Sequence, residues 1–173
     1  MEEINSIAGN GQTEVSGTIV WLTPEGHEEL KKELEYLTLE KRPEIAERIR
    51  ESQEHGEFSE DNSELDEVKF EQAIVENRIA ELKSIFGTAQ VLNEEDIPTS
   101  FVGIGSLVTL SDSSLGESFT VRVVSSIEAD PNRDYISNES PMGSALLGSK
   151  TGDTISVDAP DGPLTYSVTK IAR

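Results

Sequence analysis

The feature that most constrains this chain is a pair of long amphipathic repeats on either side of a short acidic stretch. On the first side, Leu30, Leu34, Leu37, Ile45 and Ile49 form a stripe at helical spacing, with Lys and Glu on the other faces. On the second, Leu65, Val68, Gln72, Val75, Ile79, Leu82 and Phe86 alternate steps of three and four through three heptads. That is a coiled-coil register with one polar layer. Residues 51–68, between the stripes, hold eight carboxylates and no Lys or Arg. Two helices joined by a few residues bury facing stripes by folding back on each other, so the spacing predicts an antiparallel hairpin with an acidic tip. At about 1.5 Å per residue, each arm reaches on the order of 35 to 45 Å.

Local signals set the ends of the arms. Thr23 is placed to accept a hydrogen bond from a free backbone N–H, Pro24 suits the first helical position, and Glu25 suits the positive end of the helix dipole. Pro43 removes a backbone donor and crowds the preceding turn, which predicts a bend over 38–43 or the start of a second helical segment there. Gly56 is expected to end the first arm and Gly87 the second, and Ser59, Asn62 and Ser63 are candidate caps for the second. Residues 1–18, rich in Gly, Ser, Asn, Thr and Glu, read as a flexible leader without an assigned role. Residues 19–92 then form the hairpin and 93–100 an acidic linker fixed by Pro98. Beyond it the period changes to two. Strands are expected near 106–110, 118–125, 154–157 and 165–171, with one short helix at 144–147, so 101–173 reads as a small, mostly antiparallel sheet domain. The fold class is α+β: a long N-terminal antiparallel coiled-coil hairpin followed by a small sheet domain.

Charge narrows the function classes. With 34 acidic and 14 basic residues, the net charge of -20 repels free nucleic acid and anionic membranes at long range, so any nucleic-acid contact is local. The absence of cysteine excludes disulfides and thiolate chemistry, and no apolar run is long enough to span a membrane. A cytoplasmic protein is the simplest reading.

Four readings compete for the acidic turn: a solvated hairpin end, a calcium loop, a self-contained two-metal hydrolase, and an arm that carries carboxylates into another protein's active site. The alternating ligands, central Gly and closing Glu of an EF-hand are not in register here. A two-metal centre needs carboxylates from several elements, which one exposed turn does not supply. Reach separates the delivery arm from the solvated end, because a short hairpin would display acids equally well. His55 and His27 read as ordinary polar residues near helix ends. Arg48 and Arg50 on the first arm and Lys69 on the second are the candidates for a nucleic-acid contact, Lys69 foremost, while pairing with neighbouring glutamates is the ordinary fate of such residues.

Two ordered sets of motifs resemble one family. Leu22-Thr23-Pro24-Glu25-Gly26, Arg42-Pro43-Glu44, Gly56-Glu57-Phe58-Ser59-Glu60 followed by Asn62, Glu76 with Arg78-Ile79, and Ala89 with Val91 resemble the coiled-coil half of the bacterial GreA/GreB transcript-cleavage factors. Ile136 to Gly143 (ISNESPMG), Ala145-Leu146-Leu147-Gly148 and Gly152-Asp153 resemble that family's second, FKBP-like domain. The resemblance implies a hairpin that enters the secondary channel of a backtracked bacterial RNA polymerase while the C-terminal domain docks at the channel entrance. It implies that tip carboxylates help hold a second Mg2+ and orient the water that hydrolyses the nascent RNA. The polymerase owns the rest of that site, so Mg2+ is shared with it, the factor binds no cofactor alone, and it is not itself an enzyme.

Carried over by position, Glu57 stands at the first acid and Glu60 at the second. One extra residue between Gly56 and Asn62 leaves Asp61 as the alternative second metal ligand. The same resemblance assigns polymerase docking to Ser140, Pro141, Met142 and Gly143, and few basic residues near the tip match the GreA type. A monomer is expected. Departures fall at the tip: Glu57 replaces the usual Asp, Gln53 stands where some members are basic, and Leu65 replaces a usual Tyr. They leave an alternative, a Gre-homologous inhibitor that occupies the channel without stimulating cleavage. Two readings of other classes stand beside these: a prolyl isomerase in the second domain, and a purely structural protein whose tip acids face solvent.

Overall fold

The structure, a computed structural model, describes residues 19–55 and 63–173, with the backbone alone at His55. Glu57, Glu60 and Asp61, and the expected helix stop at Gly56, lie outside the described residues. Strand β1 (Val20–Leu22) leads into helix α1 (Pro24–Tyr36), a single π-helical turn (Leu37–Lys41) and helix α2 (Arg42–His55). Helix α3 (Ser63–Thr88) returns alongside and runs directly into β2 (Ala89–Val91).

The start of α1 is the one the sequence predicts. Thr23 is extended, and its hydroxyl accepts from the Gly26 N–H at 3.0 Å. Of the two outcomes predicted near Pro43, a second helical segment does start there, at Arg42, directly after the π turn. There the Arg42 N–H reaches back to the Leu37 carbonyl, five residues away, just before the proline that has no donor and whose ring crowds the residue four positions earlier.

The arms share two apolar clusters. Ile45, Val68, Val75 and Ile79 are buried against Leu34, Leu37 and Ile49 in the middle of the hairpin, and Leu22, Leu30, Leu82 and Ile85 are buried at its root. Two details of the predicted seam differ. Gln72 is exposed rather than an internal polar layer, and Glu71 beside it is the residue that turns toward the facing arm, to Lys41 and Arg48. Ile85 takes the buried position, while Phe86 is half-buried, edge-on to His27 at 5.3 Å. Gly87 does not stop α3. The helix continues to Thr88 because the chain then pairs β2 with β1 in parallel, Leu22 opposite Val91, which fastens the two ends of the hairpin side by side.

Ion pairs fix the register of the arms. Arg78 grips Glu33 with two bonds of 2.7 and 2.8 Å, Arg42 grips Glu76 with bonds of 2.6 and 2.5 Å, and Glu71 accepts from Lys41 at 2.9 Å and from Arg48. All are part-exposed and screened by water, so they select alignment more than they stabilise.

A stretch with one 3-10 turn (Glu94–Asp96) connects the hairpin to five strands: β3 (Leu107–Asp112), β4 (Ser118–Val124), β5 (Tyr135–Ser137), β6 (Thr154–Val157) and β7 (Leu164–Ala172). Their order is β5-β4-β3-β7-β6, antiparallel except for β5, which runs parallel to β4. Alternate residues Val108, Leu110, Val121, Val123, Ile155, Val157, Tyr166 and Val168 face one core, closed by Leu146 of helix α4 (Pro141–Leu146). The sequence locates four of these strands, misses β5, and places the short helix three residues late. Ser140, not Ser144, starts that helix, because its side chain caps the Gly143 N–H at 3.1 Å.

Candidate functional site

The hairpin brings the end of α2 and the start of α3 together. Between those ends, Arg48, Glu51, Ser52 and Glu64 line a shallow cleft of about 300 Å3. Its cation is already engaged with Glu71 of the facing helix. Arg50 is similarly committed: it bonds Glu47 at 2.5 and 3.0 Å and Glu54 at 2.5 Å, and these carboxylates, Glu47 first, hold its guanidinium well above the ordinary range of acidity. Reciprocally, Arg50 holds the Glu47 carboxyl below the usual carboxylate range. Of the predicted nucleic-acid contacts, Arg48 is taken by Glu71 and Arg50 is paired within its own helix, whereas Lys69 is exposed and makes no ion pair among the described residues. Among the described residues, no three acidic or histidine side chains converge on a metal position.

At the other end, the four residues assigned to docking split into two roles. Ser140 caps α4 and donates to the Ser137 carbonyl at 2.7 Å; Met142 packs against the sheet core; Gly143 is buried. A Cβ on Gly143 would overlap the Ser137 carbonyl oxygen, so glycine is what lets α4 lie against β5. Pro141 is the exposed member, next to exposed Ser144 and Leu147. The motif thus reads first as a folding signal, and the surface it offers is Pro141 with its neighbours.

Sequence reasoning missed the residues that join the two halves. Glu128, in the turn after β4, crosses to the first turn of α1, where its carboxylate accepts from the Thr23 N–H at 3.0 Å and from the Thr23 hydroxyl. Burial pushes its carboxyl up, against the opposing pull of the two Thr23 bonds. Arg133 reaches Glu25 at 2.8 Å and Glu29 at 2.9 Å, with its guanidinium 4.5 Å from the Tyr135 ring centre. The available signal was Gly26 itself: a poor helix former in a first turn needs a reason, and the reason is a side chain lying over it.

Comparison with known proteins bears on both halves. A family model described as "Transcription elongation factor, N-terminal" matches residues 20–91, and one described as "Transcription elongation factor, GreA/GreB, C-term" matches residues 97–173. Among curated proteins, the chain is 47% identical over 154 residues to "Transcription elongation factor GreA" of Caldanaerobacter subterraneus, covering 89% of this chain and 98% of that one. It is 48% identical over 154 residues to the protein of the same name from Alkaliphilus oremlandii, covering 89% and 96%. Among solved structures, GreA factor homolog 1 of Thermus thermophilus is 37% identical over 90% of this chain and 99% of that one, with a TM-score of 0.43.

Proposed function

This chain belongs to the GreA/GreB family of transcription elongation factors, and from that membership we propose that it enters the secondary channel of bacterial RNA polymerase and stimulates cleavage of backtracked RNA by the polymerase's own active site. The observation that carries this reading is the hairpin: two arms packed along two apolar clusters, cross-gripped by Arg78–Glu33 and Arg42–Glu76, with Glu51, Glu54 and Glu64 at the far end and a sheet domain at the root. Such a rod delivers its tip at a distance, as a floppy acidic loop would not.

The donor set fits the cation. Glu57, with Glu60 or Asp61, offers hard carboxylate oxygens and no soft ligand, the type of one- or two-carboxylate site that Mg2+ shares with waters and a phosphate. When bound, the shared Mg2+ activates water and offsets negative charge at the phosphate. The chain's own part is to bring those carboxylates to the reacting phosphodiester, to orient the attacking water by hydrogen bonds to their oxygens, and to exclude alternative placements by the stiffness of the arms. Lys69, exposed and without an ion pair among the described residues, stands one turn or two along α3 and is the residue proposed to meet an RNA phosphate. Pro141 and its exposed neighbours supply part of the docking surface. The protein acts as a monomer in the cytoplasm and has no hydrolytic activity of its own.

Halted, backtracked elongation complexes with end-labelled RNA test this. Addition of the protein is expected to shorten the RNA from its 3' end, and the Glu57→Ala plus Glu60→Ala variant to abolish shortening while still binding. Unchanged RNA with normal binding of the unaltered protein would replace this reading with the inhibitor, in which the longer Glu57 side chain positions metal poorly.

A further inference from the structure

The two halves of the molecule meet through a short segment, residues 127–135, laid across the beginning of α1. Ile127 adds one apolar side chain to the cluster at the hairpin root. Glu128 covers the first turn of the helix, accepting from both the N–H and the hydroxyl of Thr23, with the Ser125 hydroxyl at 3.5 Å. The same Thr23 hydroxyl accepts from Gly26, so one carboxylate fixes the cap that starts the hairpin. A Cβ at position 26 would overlap that carboxylate. Arg133 and Tyr135 hold Glu25 and Glu29 on the neighbouring, exposed side. Beside these contacts lies a cleft of about 290 Å3, lined by Leu30, Glu33, Arg78 and Asp130 among others, rather than a packed interface. A few side chains therefore decide where the hairpin points.

Resting on the function proposed above, we infer that Glu128 is a positioning residue for cleavage: seated over Gly26 and bonded to Thr23, it aims the hairpin so that a docked sheet domain delivers the tip to the reacting phosphate. The geometry makes the aim demanding. From Pro24 to His55 the first arm spans about 48 Å at 1.5 Å per residue, so a 10° swing at the root displaces the tip by about 8 Å. Misplacement by about 1 Å is enough to slow a positioned reaction on the order of 100-fold. Glu128 touches neither RNA nor metal; it acts through the direction of the rod.

Two measurements on the full chain test the inference, and its lack of cysteine makes labelling simple. Spin labels at Asn77→Cys and Lys170→Cys, both exposed positions in different halves, report the distance between hairpin and sheet domain. Halted complexes report the cleavage rate at saturating factor and the concentration that half-saturates it. Glu128→Ala and Gly26→Ala are expected to broaden or shift the distance distribution and to slow saturated cleavage about 10- to 100-fold. The half-saturating concentration should change less than about threefold, because the docking surface is intact. Glu128→Gln is expected to restore both readouts: its carbonyl accepts from the Thr23 N–H and its amide donates to the Thr23 hydroxyl. Unchanged distances and rates in Glu128→Ala and Gly26→Ala would overturn the inference, as would a Glu128→Gln protein as impaired as Glu128→Ala. If Glu128→Ala does not fold, Arg133→Ala, which releases the exposed side of the same junction, takes its place with the same expected outcome. If the unaltered protein leaves RNA uncut, the proposed function fails, and the distance measurement still judges the junction.

Discussion

Replacing Ile79 by Ala is the sharpest test of the idea that the hairpin is stiff because its seam is packed. Ile79 is 1% exposed, in the cluster formed with Ile45, Val68 and Val75. The substitution removes three buried carbons, worth about 0.8 kcal/mol each, or about 2.4 kcal/mol in all. The unfilled space adds a further cost, because helices braced by several ion pairs cannot fully collapse into it, so a total of about 3 to 4 kcal/mol is expected. Urea unfolding followed by helical circular dichroism measures this directly. At a slope of about 1 to 3 kcal/mol per molar, the midpoint falls by on the order of 1 M or more. Phe70→Ala is the control: this residue is 69% exposed on the outer face of α3, and its loss should stay within about 0.5 kcal/mol. An Ile79→Ala protein destabilised by less than about 1 kcal/mol, or a Phe70→Ala protein destabilised as much as Ile79→Ala, would refute the packing argument and with it the stiffness on which tip delivery depends.

Other outcomes follow from charge and close packing. Lys41, then Arg48, holds the Glu71 carboxyl below the usual carboxylate range, and Arg42 does the same for Glu76. A carboxyl depressed in the folded state contributes stability above its unfolded value, near about 4.3, and loses it as the pH falls through the folded value. Thermal melts should therefore show the unaltered protein more stable than a Glu71→Gln plus Glu76→Gln variant at pH 7, with the difference disappearing as the pH falls through the lowered folded-state values; a difference that persists once both carboxyls are protonated would exclude these ion pairs as its source. Gly143→Ala forces α4 away from the Ser137 carbonyl, and a loss of about 1 to 3 kcal/mol in the sheet domain is expected by denaturant unfolding.

Much of this architecture was legible because the signals were local or periodic. Thr23-Pro24 marks a helix start with its own atoms, and heptad spacing names Val68, Val75, Ile79 and Leu82 as the buried seam before any partner is seen. Gln72 misled because periodicity cannot tell an internal polar layer from a position the facing arm leaves open. Gly87 misled because a glycine signal was outweighed by the pairing of β2 with β1, a contact between residues nearly seventy positions apart. Strand β5 is three residues long and parallel, which leaves too short a pattern to see, and residues 135–137 lie just before the ISNESPMG motif, where turn residues dominate. For the candidate site, the acids could be named from sequence, but the availability of the nearby cations could not. Arg50 and Lys69 both read as cations near the tip, and what separates them is the pair of carboxylates that Arg50 holds. The junction through Glu128 joins residues about a hundred positions apart, and no spacing rule reaches that far.

The π turn at Leu37–Lys41 has a rotational consequence. In an unbroken α-helix each residue advances by about 100°, so Ile45, eight residues after Leu37, would lie about 80° around the rod from it. One residue absorbed by the wider coil brings that offset back to about -20°, and Ile45 and Leu37 share a line facing α3. The loop of backbone beside Pro43 therefore works as a phase corrector. Deleting any one residue from it would leave the arm almost as long, yet turn everything beyond Arg42 by about a quarter of a revolution and present the far end of the rod with a different side forward.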